Sequence, residues 1–182
     1  AQAAATIRTQ HGFRMTLLAA EPLVMDPVAL EYDEQGRAWV VEMSDYPYTD
    51  KSTDKPFTER TTDLPLGRVR ILTDHDGDGV FDDSRIFAED LSWPTGLAFW
   101  QGGVYVAATP DIWYLKDSDG DGRADVRRRV FTGFRKFNVQ AVMNNLKWGP
   151  DGRIYGVPEE AAMGGGILYN KKIYAELGLS VP

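Results

Sequence analysis

Two stretches, Asp74-His75-Asp76-Gly77-Asp78-Gly79 and Asp117-Ser118-Asp119-Gly120-Asp121-Gly122, repeat the pattern D-x-D-G-D-G 43 residues apart, and each reaches a further aspartate at its ninth position, Asp82 and Asp125. A hard cation such as Ca²⁺ takes about six to eight oxygens at short range. Alternate aspartates around a glycine-pinched turn supply them from positions 1, 3, 5 and 9, and the position-7 carbonyl completes the set. Without a cation, carboxylates so close together repel. The expected ligands are Asp74, Asp76, Asp78, Val80 and Asp82 in the first loop, and Asp117, Asp119, Asp121, Arg123 and Asp125 in the second. The alternative is a pair of solvated acidic turns, which the duplicated spacing disfavours.

Neither loop reads as an EF-hand. That motif ends on a bidentate Glu at position 12 between two helices. Here position 12 is Arg85 or Arg128, and the flanks Arg68-Val69-Arg70-Ile71-Leu72 and Asp111-Ile112-Trp113-Tyr114-Leu115 have the composition of strands. Each cation would staple a β-turn, with a modest Kd of roughly 10⁻⁴–10⁻³ M.

The elements that must position these loops repeat as well. Val28–Val41, Gly96–Val106 and Asn145–Gly156 each read as strand, tight turn and strand with a central aromatic. Glycine at the turn supplies the positive φ that a short hairpin needs. A third strand, the acidic loop and a fourth strand follow (Ser84–Phe87, then Arg127–Phe131). Four antiparallel strands in about 40–45 residues is the period of a β-propeller blade. A plain β-meander sandwich is the competing architecture. The first unit runs from Val28 to Phe87 with a polar insertion at Ser44–Leu66, the second from Thr95 to Phe131, and the third holds two strands, to Gly156. The expected fold is all-β, a partial propeller of about two and a half four-stranded blades, fewer than the roughly four that close a ring. The chain would then be a fragment whose last blade has an open edge.

Composition sets limits on partners. Among 182 residues, 43% are hydrophobic and 12% aromatic, too many for a disordered chain. The net charge of −7 and the lack of a basic stripe argue against nucleic acid. The densest basic run, Arg127-Arg128-Arg129, reads as local charge balance beside the second loop. No apolar run approaches the ~20 residues of a membrane span. With no cysteine, this segment holds no disulfide, zinc-thiolate site or Cys-x-x-Cys-His haem attachment. Low-affinity calcium loops need a calcium-rich exterior, so a periplasmic or extracellular location is expected.

Phe13–Pro22, Asp26–Ala29, Trp39–Met43, Asp45-Tyr46-Pro47, Trp93–Gly96, Pro110–Leu115 and Val130–Phe134 together resemble the N-terminal propeller of a family of membrane-bound dehydrogenases. These are large exported bacterial proteins that often carry a c-type haem-binding domain further on. The resemblance covers residues 7–156, assigned as one dehydrogenase-like domain, 1–156. The family is similar to soluble glucose/sorbosone-type quinoprotein dehydrogenases, which implies sugar or alcohol oxidation with pyrroloquinoline quinone. It also implies a histidine base, yet the related stretch Asn138–Leu146 has none.

From Val157 to Pro182 the chain instead resembles extracellular solute-binding proteins of sugar ABC transporters, with a strand at Gly166–Tyr169, a helix at Lys171–Leu177 and Gly178 as its C′ residue. A second unit, 157–182, is therefore expected as a fusion or fragment, its alternative being a loop peculiar to the first family.

No catalytic set emerges. The two histidines, His11 and His75, lack triad partners, and His75 occupies a non-ligand position. Glu42, Asp45, Tyr46 and Tyr48 open the long insertion and read more readily as an exposed polar loop than as a site. Gly164-Gly165-Gly166 lacks phosphate-loop spacing. The expected function is a calcium-stapled propeller segment of an exported dehydrogenase-like protein. The alternative is a non-enzymatic module that binds carbohydrate or protein.

Overall fold

Apolar residues run consecutively through Ala38–Val41, Leu97–Trp100 and Val104–Ala108, the pattern of strands covered on both faces. The computed structural model describes residues 6–46, 64–134 and 142–158. Among the described residues ten strands run in chain order: β1 Pro27–Tyr32, β2 Ala38–Glu42, β3 Gly67–Thr73, β4 Asp83–Leu91, β5 Pro94–Trp100, β6 Gly103–Ala108, β7 Asp111–Lys116, β8 Val126–Thr132, β9 Met143–Trp148 and β10 Ile154–Pro158. They form three antiparallel sheets, β1-β2-β3-β4, β5-β6-β7-β8 and β9-β10. The all-β class read from the sequence holds. Among the described residues no helix is long and apolar enough to cross a membrane.

Local chemistry sets the hairpins. Between β5 and β6, Gln101 and Gly102 take φ of 46° and 74° and Trp100 pairs with Gly103, a two-residue turn whose twist suits the strands it joins. Between β1 and β2 the Asp33 carboxylate organises the turn. It accepts N–H bonds from Gln35 (3.0 Å) and Arg37 (2.9 Å), and side-chain bonds from Arg37 Nε (2.7 Å) and Trp39 Nε1 (2.8 Å). Asp151 repeats the device between β9 and β10, accepting from the Arg153 N–H and the Tyr155 hydroxyl.

Side-chain alternation sorts each central strand between two cores. On β2, Trp39 and Val41 face the second sheet, whereas Ala38 and Val40 face the N-terminal segment. The first core joins Trp39, Val41, Val69, Ile71, Phe87 and Leu91 to Leu97, Val104, Val106, Ala108 and Leu115. Trp39 is its keystone, its ring 4.5 Å from Phe87 and 5.3 Å from Phe99 between centroids, both edge-on. The opposite face of the second sheet (Ala98, Tyr105, Ala107, Ile112) packs on Met143, Leu146 and Ile154 of the third. Ala19, Leu23 and Val24 cover the outer face of the first sheet. The first strands meet in sequence, β1 against β5 and β5 against β9.

Two details differ from expectation. The second strand of the last hairpin does not stop at Gly156, because Val157 and Pro158 continue it opposite Asn144 and Met143. Arg127, Arg128 and Arg129 do more than balance charge locally, which the Arg129–Asp111 pair alone does. Arg127 and Arg129 lie 5.1 and 5.9 Å from the Trp113 ring centroid, Arg128 lies 5.7 Å from that of Tyr114, and Arg129 is 3.8 Å from Asp111. A planar guanidinium stacks well on an aromatic face, which explains the preference. Most of the insertion, residues 47–63, lies outside the described residues, as do Tyr48, residues 138–141 of the histidine-free stretch, and the strand Gly166–Tyr169 and helix Lys171–Leu177 of the tail.

Leu115 is fully buried between the first two sheets, so Leu115→Ala should lower unfolding free energy by about 2–5 kcal/mol in urea melts. Val126→Ala, at a more exposed position, should change it by less than about 1 kcal/mol.

Candidate metal centre

Both acidic loops occupy the same place in their sheets, joining the third strand to the fourth: β3 to β4, and β7 to β8. In the first, carboxylate oxygens of Asp74, Asp76 and Asp78 lie within 4.8 Å of one another, and in the second those of Asp117, Asp119 and Asp121 do. Backbone N–H groups hold the carboxylates in matching fashion. Asp74 accepts from Gly77 (2.8 Å) and Gly79 (2.9 Å), and Asp117 from Gly120 (2.6 Å) and Gly122 (2.8 Å). Asp76 and Asp78 accept from Asp78 and Val80, as Asp119 and Asp121 do from Asp121 and Arg123. These bonds require the chain to reverse at two points, and Gly77, Gly79, Gly120 and Gly122 all have φ between 74° and 86°, where a Cβ is strained.

The position-9 aspartates stand apart from those triplets. Asp82 receives the His75 N–H at 3.3 Å, and Asp125 receives the N–H (2.7 Å) and hydroxyl of Ser118. Three of the four carboxylates predicted for each site are thus gathered, and the fourth clamps residue 2 of its loop. Val80 and Arg123 enter through their N–H groups. His75 is exposed, with Nε2 3.7 Å from Asp83. Arg85, position 12 of the first loop, lies over Gly122 of the second, where an added Cβ would meet its guanidinium.

The N–H bonds also set the charge state. The Gly79 N–H, with that of Gly77, holds the Asp74 carboxyl below its ordinary value near 3.8. At Asp117 the largest single influence, lost hydration, pushes upward, but the Gly120 and Gly122 N–H groups outweigh it and the net shift is down. Bonds from Ser118 lower Asp125. Each triplet thus gathers three hard oxygen donors within 4.8 Å of one another, the donor type that a hard divalent cation takes.

The insertion acids behave otherwise than an exposed loop. Glu42 is fully buried at the end of β2. It accepts from the Met25 N–H (2.6 Å) and Arg70 Nε (2.9 Å), and Arg68 Nε lies 2.6 Å away as an ion pair without hydrogen-bond alignment. Asp45, also buried, accepts the Trp93 N–H at 2.8 Å, and Tyr46 packs edge-on against Trp93. Both acids tie distant segments to the first sheet. Only the folded chain brings Arg68, Arg70 and Met25 around Glu42, so nothing local in the sequence foretold it.

A second feature escaped the sequence reading. Where β1, β5 and β9 converge, a groove of about 290 Å³ is lined by Glu31, Thr95, Asn144 and Lys147 among others. Glu31 and Lys147 form an ion pair across it, and the Thr95 hydroxyl donates to the Met143 carbonyl.

These are features of an all-β protein of sequential antiparallel sheets with acidic inter-strand loops. The chain belongs to the family described as a domain of unknown function (DUF7133), whose model matches residues 1–172 and so runs beyond Gly156. No curated protein matches the chain in sequence. A solved structure from Thermus thermophilus, a provisionally named oxidoreductase (glucose dehydrogenase), is similar with a TM-score of 0.47 and 16% identity over 78% of this chain and 42% of that one. The chain thus spans less than half the length of that protein.

The lowered carboxyls give a signed pH dependence. Asp33 is lowered because bonds from Trp39 and Arg37 outweigh its desolvation, the largest influence, which raises it. A carboxyl lowered in the folded state contributes stability that is complete above the unfolded value near 3.8 and disappears as pH falls through the folded value. In chelator, urea midpoints should therefore fall below about pH 4, with no slope from these groups between about pH 5 and 7. Asp33→Asn should cost about 1–3 kcal/mol at pH 7 and flatten part of the acid limb.

Proposed function

We propose that this chain is a calcium-stapled β-propeller segment of an exported, dehydrogenase-like protein. The observation that carries the reading is the equivalence of the two acidic loops. Each joins third to fourth strand, and the N–H of its eighth residue bonds to the preceding segment: Phe81 to the Leu18 carbonyl and Ala124 to the Phe87 carbonyl, both at 2.8 Å. A cation drawing three carboxylates together would stiffen the turn that carries this bond, and so fasten one unit to the next. Sequential strand order and the meeting of β1, β5 and β9 support a propeller over a two-sheet sandwich. The dehydrogenase-like part rests on the family resemblance of residues 7–156, and export on the expected weak calcium affinity. The resemblance of residues 157–182 to solute-binding proteins supports an appended piece, set against a family model that runs on to residue 172 and a strand β10 that crosses the boundary to Pro158.

Pyrroloquinoline quinone, which the resemblance implies, does not fit the groove as described. That cofactor bears several carboxylates, whereas the groove's cation, Lys147, is already paired with Glu31 and the lining includes no histidine. No catalytic step is assigned to the described residues. The polar lining of the groove favours a second reading, a carbohydrate-binding module, in which Thr95, Asn144, Glu31 and Lys147 would hydrogen-bond hydroxyls.

Millimolar Ca²⁺ should stabilise the chain by roughly 1–3 kcal/mol if its Kd is near 10⁻⁴ M. Asp76→Ala and Asp119→Ala should each remove the share due to their own loop. Thermal melts that coincide in chelator and in millimolar calcium would end the calcium reading. For the carbohydrate reading, a glycan array should show binding that Thr95→Val weakens at least several-fold, and a blank array at high protein concentration counts against it.

A further inference from the structure

Most basic side chains of the three sheets are paired. Arg37 meets Asp33, Arg68 and Arg70 meet Glu42, Lys147 meets Glu31 and Arg153 meets Asp151. Arg127, Arg128 and Arg129 stack on Trp113 and Tyr114. Two guanidinium groups differ, those of Arg85 on β4 and Arg123 in the second acidic loop. Neither has an ion-pair, hydrogen-bond or ring partner among the described residues. Both line one cavity of about 450 Å³ between the first sheet and that loop, together with Arg70, Ser84, Ile86 and Asp121. Since Glu42 already balances Arg70, Asp121 stands against two free cations, and the cavity keeps surplus positive charge on a chain of net charge −7.

The cavity is built as well as charged. The Arg70 side chain is only 12% exposed. Its Nε donates to Glu42 at 2.9 Å and its Nη1 to the Ser84 hydroxyl at 3.0 Å, and that hydroxyl donates in turn to the Leu23 carbonyl. The Nη2 hydrogens have no partner among the described residues, so a fixed guanidinium lines the cavity with donors to spare. Arg85 lies across Gly122, where an added Cβ would meet its Nη1 and Cδ. A glycine at that position is what lets a cation of β4 reach the second loop. Arg123 comes from the loop itself, where its N–H is held by Asp121 at 2.7 Å.

We infer that this cavity binds an oxyanion, the sulfate, phosphate or carboxylate group of a small ligand. A guanidinium presents paired N–H donors that match two oxygens of such a group. An anion between Arg85 and Arg123 also relieves the repulsion of two cations lining one space. Asp121 sets a condition on binding, because it belongs to the second acidic triplet too. Its bare carboxylate repels an anion, and a divalent cation on the triplet would offset that charge. Anion and calcium should therefore strengthen each other's binding, by the same factor in both directions. The coupling rests on the calcium reading above, whereas the anion site does not.

Calorimetric titration of the whole chain tests both. Sodium sulfate, sodium phosphate and sodium glucuronate are titrated at constant ionic strength in buffer freed of calcium over a chelating resin. Sulfate and glucuronate are titrated again in millimolar Ca²⁺. Saturable binding of one anion per chain is expected. Sulfate and phosphate without glucuronate would identify an inorganic or esterified anion, and glucuronate alone a carboxylated ligand. Arg85→Gln and Arg123→Gln, both at exposed positions where the fold should survive, should each weaken binding about tenfold or more. Arg128→Gln removes a nearby charge outside the cavity and should leave binding unchanged. In calcium-free buffer Asp121→Asn should tighten binding several-fold, as calcium should in the wild type. No saturable binding by any of the three anions overturns the site, as does equal weakening by Arg128→Gln, or wild-type affinity in Arg85→Gln and Arg123→Gln. Anion affinity that calcium and Asp121→Asn both leave unchanged overturns the coupling. Calcium that does not bind at all strikes instead at the proposed function, while the calcium-free titrations still decide the anion site.

Discussion

The described sheets depend on apolar packing against the segment that precedes or follows each of them. The second sheet shows it most fully, with Val104, Val106 and Ala108 turned to the first sheet while Tyr105 and Ala107 turn to the third. Strands covered on both faces carry apolar side chains at consecutive positions, which no single sheet could bury alone. Trp39 concentrates the dependence at one point, since its ring meets Phe87 of its own sheet and Phe99 of the next while its N–H reaches Asp33. Stability is therefore a property of neighbouring pairs of sheets, as in other repeat architectures.

Carboxylates supply what apolar packing cannot, the fixing of irregular backbone. Asp33 and Asp151 gather the donors of two hairpin turns, and Asp74 and Asp117 gather those of the two acidic loops. Glu42 and Asp45 do the same in the interior, where an unpaired charge or N–H is costly. The acids most suggestive of catalysis by type are in fact the most deeply committed to structure. The repeated loops, by contrast, leave most of their acids open to solvent.

The loops act at a distance from the core because of where they hang. Each projects from the outer half of its sheet and is bonded to the segment in front of it, at Leu18 or at Phe87. The conformation of a surface turn is thereby coupled to contact between successive sheets. The cost of crowding aspartates onto that turn is offset in part by the N–H groups that each carboxylate accepts.

Sequence alone determined the all-β class, the places of the strands from β1 to β9, and the acidic loops between third and fourth strands. These follow from signals within a few residues: alternating or β-branched runs, glycines at required positive φ, and aspartates at fixed spacing. The gathering of Asp74, Asp76 and Asp78 was legible for the same reason, since one tight turn brings them together. What tertiary structure alone decided rests on partners far apart in the chain. Glu42 is buried because Arg68, Arg70 and Met25 converge on it, Asp45 because it meets Trp93, and Arg127 to Arg129 find aromatic faces and carbonyls instead of loop acids. The continuation of β10 to Pro158 depends on β9 lying alongside. Segment 18–26 is held at Leu18 and Leu23 only because the first sheet presents Phe81 and Ser84 to it. Burial and pairing are set by whatever surface arrives opposite, and local spacing carries no record of that.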